Sequence, residues 1–273
     1  MSAASTRVGL RRRTPGWEIA VRFYAAVVFT FLMLPLLIVF PISFSSSSYL
    51  RFPPPGYSLR WYRAYLEDPT WIDATLRSLK IATSTTVLAT VLGTMLAFCI
   101  VRGRFRGREA VNQISALPII VPSIVYSIAV YALFAQLKLI GLWQGIVLAH
   151  TVHAIPFVTI VVAAGLRSFD AAQEQAAMGL GASRLTAVFR ITLPQIRPSL
   201  ISAAFLAFIS SFDELVIAMF LGGSNMTLPK KMFDNILLEI DPTIAAVSVL
   251  KIALVCTLLV LASRYGAGVR PAV

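Results

Sequence analysis

The chain has 273 residues, 58% of them hydrophobic and only 13% charged, with a mean hydropathy of +0.79 and a formal net charge of +12. Soluble domains carry about 25% charged residues, so the composition excludes an ordinary soluble enzyme and points to a bilayer as solvent. The positive charge does not call for nucleic acid, because no basic patch with interleaved exposed aromatics stands on a soluble surface.

Apolar runs of roughly 18 residues or more cross the roughly 30 Å hydrocarbon layer as helices. The segment 1–22 holds Arg7, Arg11, Arg12, Arg13 and Arg22 and reads as a basic cytoplasmic N-terminus. The first apolar run, Phe23–Phe44, is too long for a signal-peptide core of about 7–15 residues and lacks a small-residue cleavage site. It is expected to be a retained first span. Ser43 to Trp71 follows as a long external connection, with serines and three consecutive prolines in its first half. Its Trp61, Tyr62, Tyr65 and Trp71 suggest a short helix lying at the membrane surface, where aromatic rings with polar tips are favoured.

Ile81–Val101 reads as the second span, and the dense RGRFRGRE (Arg102 to Glu109) as a cytoplasmic turn. Ala110–Leu137 is the third span, and Pro118 and Pro122 predict a kink, since each proline removes a helix hydrogen bond. Leu139–Leu166 is the fourth, with His150 and His153 three residues apart. That spacing could hold a metal, but no nearby carboxylate or cysteine completes a shell, so buried, hydrogen-bonded histidines are expected. Pro198–Pro229 and Pro242–Ser263 are the fifth and sixth spans, carrying Asp213 with Glu214 and Lys251 respectively. Cys99 and Cys256, one in each of two spans, read as buried small hydrophobes rather than a disulfide. With the N-terminus inside, 15 of the 24 Lys and Arg residues fall in cytoplasmic connections, as the positive-inside rule requires. The fold class is therefore an all-α membrane protein of six transmembrane helices with both termini cytoplasmic. Its permease domain spans 23–265, and 266–273 form a tail.

Between the fourth and fifth spans lies QAAMGLGASRLTAVFRITLP, Gln175 to Pro194. From Phe169 on, apolar positions Ala177, Leu180, Gly181, Leu185, Val188 and Phe189 recur at spacings of three and four, which predicts short amphipathic helices. A helix resting on headgroups would favour bulky apolar residues; the small residues here let another backbone approach instead. Leu193-Pro194 is expected to end the stretch, because the residue before proline is steered away from helix.

This stretch resembles the EAA motif of ABC-importer permeases: Gln175-Ala176-Ala177, then Gly181, then Ile191-Thr192-Leu193-Pro194, with the family's spacing intact and Gln175 where the family has Glu. SFDELVIAMFLGG (Ser211 to Gly223), TLPKKMFDNI and DPTIAAVSVL are similar to spermidine/putrescine-type (PotC-like) permeases. The resemblance implies the type I (MetI-like) fold, a bacterial inner-membrane location and a coupling loop at 169–194. It also implies partners: a dimer of ATP-binding subunits, a second permease subunit, identical or not, and a periplasmic solute-binding protein. Gln175, Ala176, Ala177, Gly181, Ile191, Leu193 and Pro194 would form the ATPase-coupling contact, with Ala177 and Gly181 facing the ATP-binding subunit. The substrate would be a polyamine or a related nitrogenous solute; another small organic solute, such as an opine or amino-acid derivative, is the alternative.

The chain has no P-loop and neither the GxSxG nor the HExxH motif, so no catalytic residue, cofactor or metal is expected. A secondary transporter would need intramembrane ion sites and usually an inverted repeat, and the two halves of this chain share no similarity. Intramembrane carboxylates usually line a cavity or a solute path. Asp213 and Glu214, about 100° apart on a helix, are therefore candidate pathway residues, with an ion pair to Lys251 as the competing role.

Overall fold

A computed structural model describes residues 15–238 and 241–266. The N-terminal arginines Arg7 to Arg13 and the tail beyond Gly266 lie outside the described residues. The described chain is almost wholly helical. Helix α1 (Pro15–Ser43) is followed by α2 (Arg60–Glu67), α3 (Pro69–Arg102), α4 (Arg108–Ile120), α5 (Ser123–Gln136) and α6 (Trp143–Ser168). Then come α7 (Ala172–Gly179), α8 (Arg184–Ala187), a π-helical turn (Val188–Thr192), α9 (Leu193–Gln195), α10 (Arg197–Phe212), α11 (Val216–Leu221), α12 (Leu228–Leu238) and α13 (Thr243–Gly266).

α3, α6 and α10 form the core, and small residues let them approach. In a bilayer, helices gain little from hiding apolar surface and associate through close packing at Gly, Ala and Ser. Ala89, Ala97, Ala154, Ala203 and Ala207 are buried here around Val158 and Val162. Gly93 lies directly against Val158, so that any side chain at Gly93 would collide with it, and Thr159 Oγ1 donates to the Gly93 carbonyl at 3.4 Å. Gly165 meets Ser199 in the same way. Ile81 joins Ile146 and Val147 in one cluster, while Ala97 joins Val162 in another. α3 and α6 therefore run parallel, and α10 runs against them. Arg102, Phe169 and Arg197 consequently gather at one end of the bundle, which here is called the loop end. α1 lies outside the core and packs on α13.

Four helices among the described residues, α1, α3, α6 and α13, are long and apolar enough to cross a membrane singly, and the number rises to at most six if each of two bent helix pairs counts as one span. Helix ends differ from the apolar runs. α3 begins at Pro69 rather than near Ile81, because Asp68 caps it, accepting from Thr70 N at 2.8 Å, and Pro69 suits the first turn. The aromatics of the external connection are not a surface belt. Trp61, Tyr65 and Trp71 are buried, Tyr65 and Trp71 packing with Phe208, Phe212 and Leu228, while Tyr62 Oη meets Ser43 Oγ at 2.8 Å. These rings seal the far end of the bundle instead of resting on lipid.

The third span does more than kink. Val121, steered by Pro122 into an extended conformation (φ −72°, ψ 128°), separates α4 from α5, which are bent by 104°. The expected stop at Leu193-Pro194 does not occur there: Leu193 is helical (φ −59°, ψ −42°), and Pro194 sits in the first turn of α9, where a missing N–H is harmless. The turn comes at Ile196, and the segment Arg184–Gln195 meets α10 at 73°. The fifth apolar run is likewise not one helix: α10 ends at Phe212, α11 starts at Val216, and Pro229 lies inside α12. Cys99 and Cys256 are exposed on α3 and α13 rather than buried, Cys256 in a cleft between α10 and α13.

Candidate functional site: the coupling loop and the break in the fifth span

The loop between α6 and α10, the candidate coupling loop, is built from three local devices. Asp170 Oδ1 accepts from Ala172 N at 2.9 Å and opens α7. Gly181, at φ +93°, closes it in a left-handed turn: Ala182 N donates to Ala177 O and Gly181 N to Met178 O, both at 3.0 Å. This is the glycine-closed helix end in which a side chain would be strained. Ser183 then caps α8, accepting from Thr186 N at 3.2 Å.

One ionic contact fixes this loop to the bundle. Arg102, the last residue of α3, donates through Nη1 to Glu174 Oε2 at 2.5 Å and Oε1 at 2.6 Å. Thr192 Oγ1, from the π-helical turn, donates to the same carboxylate at 3.0 Å. The guanidinium also lies near the rings of Phe98 and Phe169, at 5.1 and 5.5 Å from their centroids. Both side chains are largely withdrawn from solvent, Arg102 being 17% exposed and Glu174 9%. Charged hydrogen bonds of this kind are the strong ones.

Of the residues singled out by sequence, Gln175, Ala176, Gly181 and Pro194 are exposed, and Ala177, Ile191 and Leu193 are partly buried. Gln175 makes no ion pair; the neighbouring Glu174 supplies the carboxylate that the motif position lacks. Its preceding place in the motif and the arginine ending the second span were the available signals, but pairing across 72 residues is invisible without the fold. The loop also exposes large apolar side chains: Leu180 is 90% exposed, and Leu185 and Phe189 are also exposed.

The second candidate region lies at the break in the fifth span. Asp213 and Glu214 do point apart, and their surroundings differ. Glu214 turns inward and accepts from the N–H groups of Val216 (3.2 Å), Ile217 (2.7 Å) and Ala218 (3.3 Å), capping α11. His150 Nε2 stands 3.7 Å from Glu214 Oε2, while His150 Nδ1 is 2.8 Å from Ser211 Oγ. Thus His150 is buried and hydrogen-bonded, and His153 lies between Tyr126 and Phe157. Among the described residues no group of three His, Cys, Asp or Glu side chains could hold a metal.

Asp213 turns outward and is hydrogen-bonded by Lys251 Nζ of α13. Lys251 therefore has the carboxylate partner expected of an intramembrane ammonium, and that partner is Asp213. The pair is unequal: the Asp213 side chain is 65% exposed and that of Lys251 20%. Both line a cleft of about 360 Å³ with Phe212, Met232 and Ser248.

The chain matches the model for "Binding-protein-dependent transport system inner membrane component" over residues 89–267. It is 36% identical over 246 residues to the putrescine transport system permease protein PotI of Escherichia coli K12, covering 87% of this chain and 86% of PotI. Identity to the spermidine/putrescine transport system permease protein PotC of Haemophilus influenzae is 32% over 237 residues, covering 86% of this chain and 91% of PotC. Among solved structures, a bacterial ABC transporter involved in import of the acidic polysaccharide alginate superposes with a TM-score of 0.73 at 20% identity, covering 93% of this chain and 98% of that one. That likeness shows the fold, which is of the MetI-like type, and not the cargo. The long apolar helices and the family match lead to one conclusion: this chain belongs to the binding-protein-dependent transport system inner membrane components, and is a multi-pass transport subunit rather than an enzyme.

Proposed function

We propose that this chain lines the solute pathway of an ATP-driven polyamine importer, together with a second permease subunit. A periplasmic binding protein would deliver the solute, and a dimer of ATP-binding subunits would grip the loop between Phe169 and Pro194. The identity to putrescine and spermidine/putrescine permeases carries the substrate reading. Asp213 supports it, because an exposed carboxylate beside a break in a span offers an acceptor to an ammonium group stripped of water. Glu214, already bound to three backbone N–H groups, contributes by holding that break open.

The complete importer in vesicles, loaded with ATP, should accumulate labelled putrescine or spermidine when its binding protein is present. A binding protein that retains an anionic solute instead, with no polyamine uptake, would overturn the substrate while leaving the importer standing.

The docking role of the loop has its own test. Any L residue at Gly181 bears a left-handed strain of about 1–2 kcal/mol, so Gly181→Ala and Gly181→Trp share the backbone effect. The space beside Gly181 is open within this chain, so the two differ only in what the bulkier side chain meets on a partner. Gly181→Trp should abolish ATPase stimulation by the loaded binding protein, while Gly181→Ala retains part of it. Equal stimulation in the two would reduce Gly181 to turn chemistry.

A further inference from the structure

At the loop end a polar cavity of about 720 Å³ opens between the α3–α4 turn and the coupling loop. Arg102, Arg104, Arg108 and Arg184 line it, with Gln175 and Met178 of α7. Arg102 is balanced by Glu174, yet its Nη2 is buried and has no hydrogen-bond partner among the described residues. Arg104, Arg108 and Arg184 make no ion pair among the described residues. Three uncompensated guanidiniums, from the α3–α4 turn, the start of α4 and the start of α8, thus face one cavity. Like charges gathered around one cavity repel, most strongly when closer than the Debye length of about 10 Å, and a bound anion offsets that repulsion. Arginine's planar fork matches the oxygens of a phosphate.

Position decides which phosphate. The cavity begins where α3 leaves its apolar run, and the turn beside it carries the exposed Phe105, at the level where aromatic rings sit among headgroups. Basic pockets at this depth on the cytoplasmic side are phospholipid headgroup sites. We propose that this cavity binds the phosphate of an anionic phospholipid, which bridges the α3–α4 turn to the coupling loop and stiffens the loop against the ATP-binding subunit. The site does not depend on which solute is carried.

The test uses the complete importer in nanodiscs of phosphatidylcholine, with or without phosphatidylglycerol. Each arginine near an anionic lipid surface contributes about fivefold in affinity, so Arg104→Gln/Arg108→Gln/Arg184→Gln should weaken retention of phosphatidylglycerol roughly a hundredfold by native mass spectrometry. The same variant should lose the phosphatidylglycerol-dependent part of its ATPase stimulation. Arg184→Gln alone, a milder change that leaves the α3–α4 turn intact, should show about the fivefold loss. Arg167→Gln/Arg197→Gln, at the same end but outside the cavity, should keep both properties. Undiminished lipid retention in the triple variant, or an equal loss in the Arg167/Arg197 control, would overturn the site. Full stimulation by inorganic phosphate in pure phosphatidylcholine would overturn the lipid as its ligand.

Discussion

Replacing Glu174 with Ala should uncouple this permease, because the carboxylate ties the proposed coupling loop to α3. Removing one member of a buried ion pair strands the other and costs roughly 3–5 kcal/mol. Arg102 keeps 17% of its side chain exposed, which places the effect near the lower limit, about a hundredfold in the docked population of the loop. Thr192 Oγ1 would lose its acceptor at the same time. ATP-driven uptake should fall by at least tenfold, and amide exchange in α7 should rise, while α3, α6 and α10 stay protected by their own packing. Glu174→Gln, which keeps an acceptor for Thr192 but not the charge, should fall between. Replacing both partners by apolar residues, Arg102→Met/Glu174→Leu, should recover much of the docking, since a packed apolar pair often substitutes for a buried ionic one. Wild-type uptake by Glu174→Ala would refute the anchoring role.

The second large effect is an asymmetry between Asp213 and Lys251. Asp213→Asn removes the exposed carboxylate and also strands Lys251, a lysine within a span that costs roughly 2.5–3.5 kcal/mol when unpaired at the bilayer centre. Lys251→Met leaves Asp213 free and, at 65% exposure, open to the cleft rather than buried in the bundle. If Asp213 receives an ammonium group from the cargo, that charged hydrogen bond is worth about 1.5–3 kcal/mol. Uptake of a dicationic solute should then drop about tenfold to a hundredfold in Asp213→Asn and stay near wild type in Lys251→Met. The double variant separates stability from cargo contact: with both charges gone it should insert and assemble normally, yet import as poorly as Asp213→Asn. Normal import by the double variant would show that Asp213 serves only Lys251.

Much of this molecule is legible in its sequence, for reasons of local chemistry. A bilayer rewards length and apolarity in single helices, so the spans could be read from Phe23 onward without any contact being known. The fixed spacing from Gln175 through Gly181 to Ile191-Thr192-Leu193-Pro194 marks the loop, since a helix, a left-handed glycine turn and a second helical stretch each leave a local signature. The partner of a lone intramembrane lysine could be reduced to two carboxylates by energy alone.

What the tertiary structure decided depends on which distant groups meet. Two adjacent acids, equivalent in sequence, were separated by the start of α11: its unpaired N–H groups took Glu214, leaving Asp213 for Lys251. Trp61, Tyr65 and Trp71 look like interfacial residues one by one, but all three are buried, Tyr65 and Trp71 by packing against α10 and α12. The residue that anchors the loop is Glu174 rather than the motif's own position, because a helix facing α3 presents only one side to Arg102. Sequence periodicity fixes which residues share a face; whether that face meets lipid, a partner helix or a charge from 72 residues away is decided only when the helices pack.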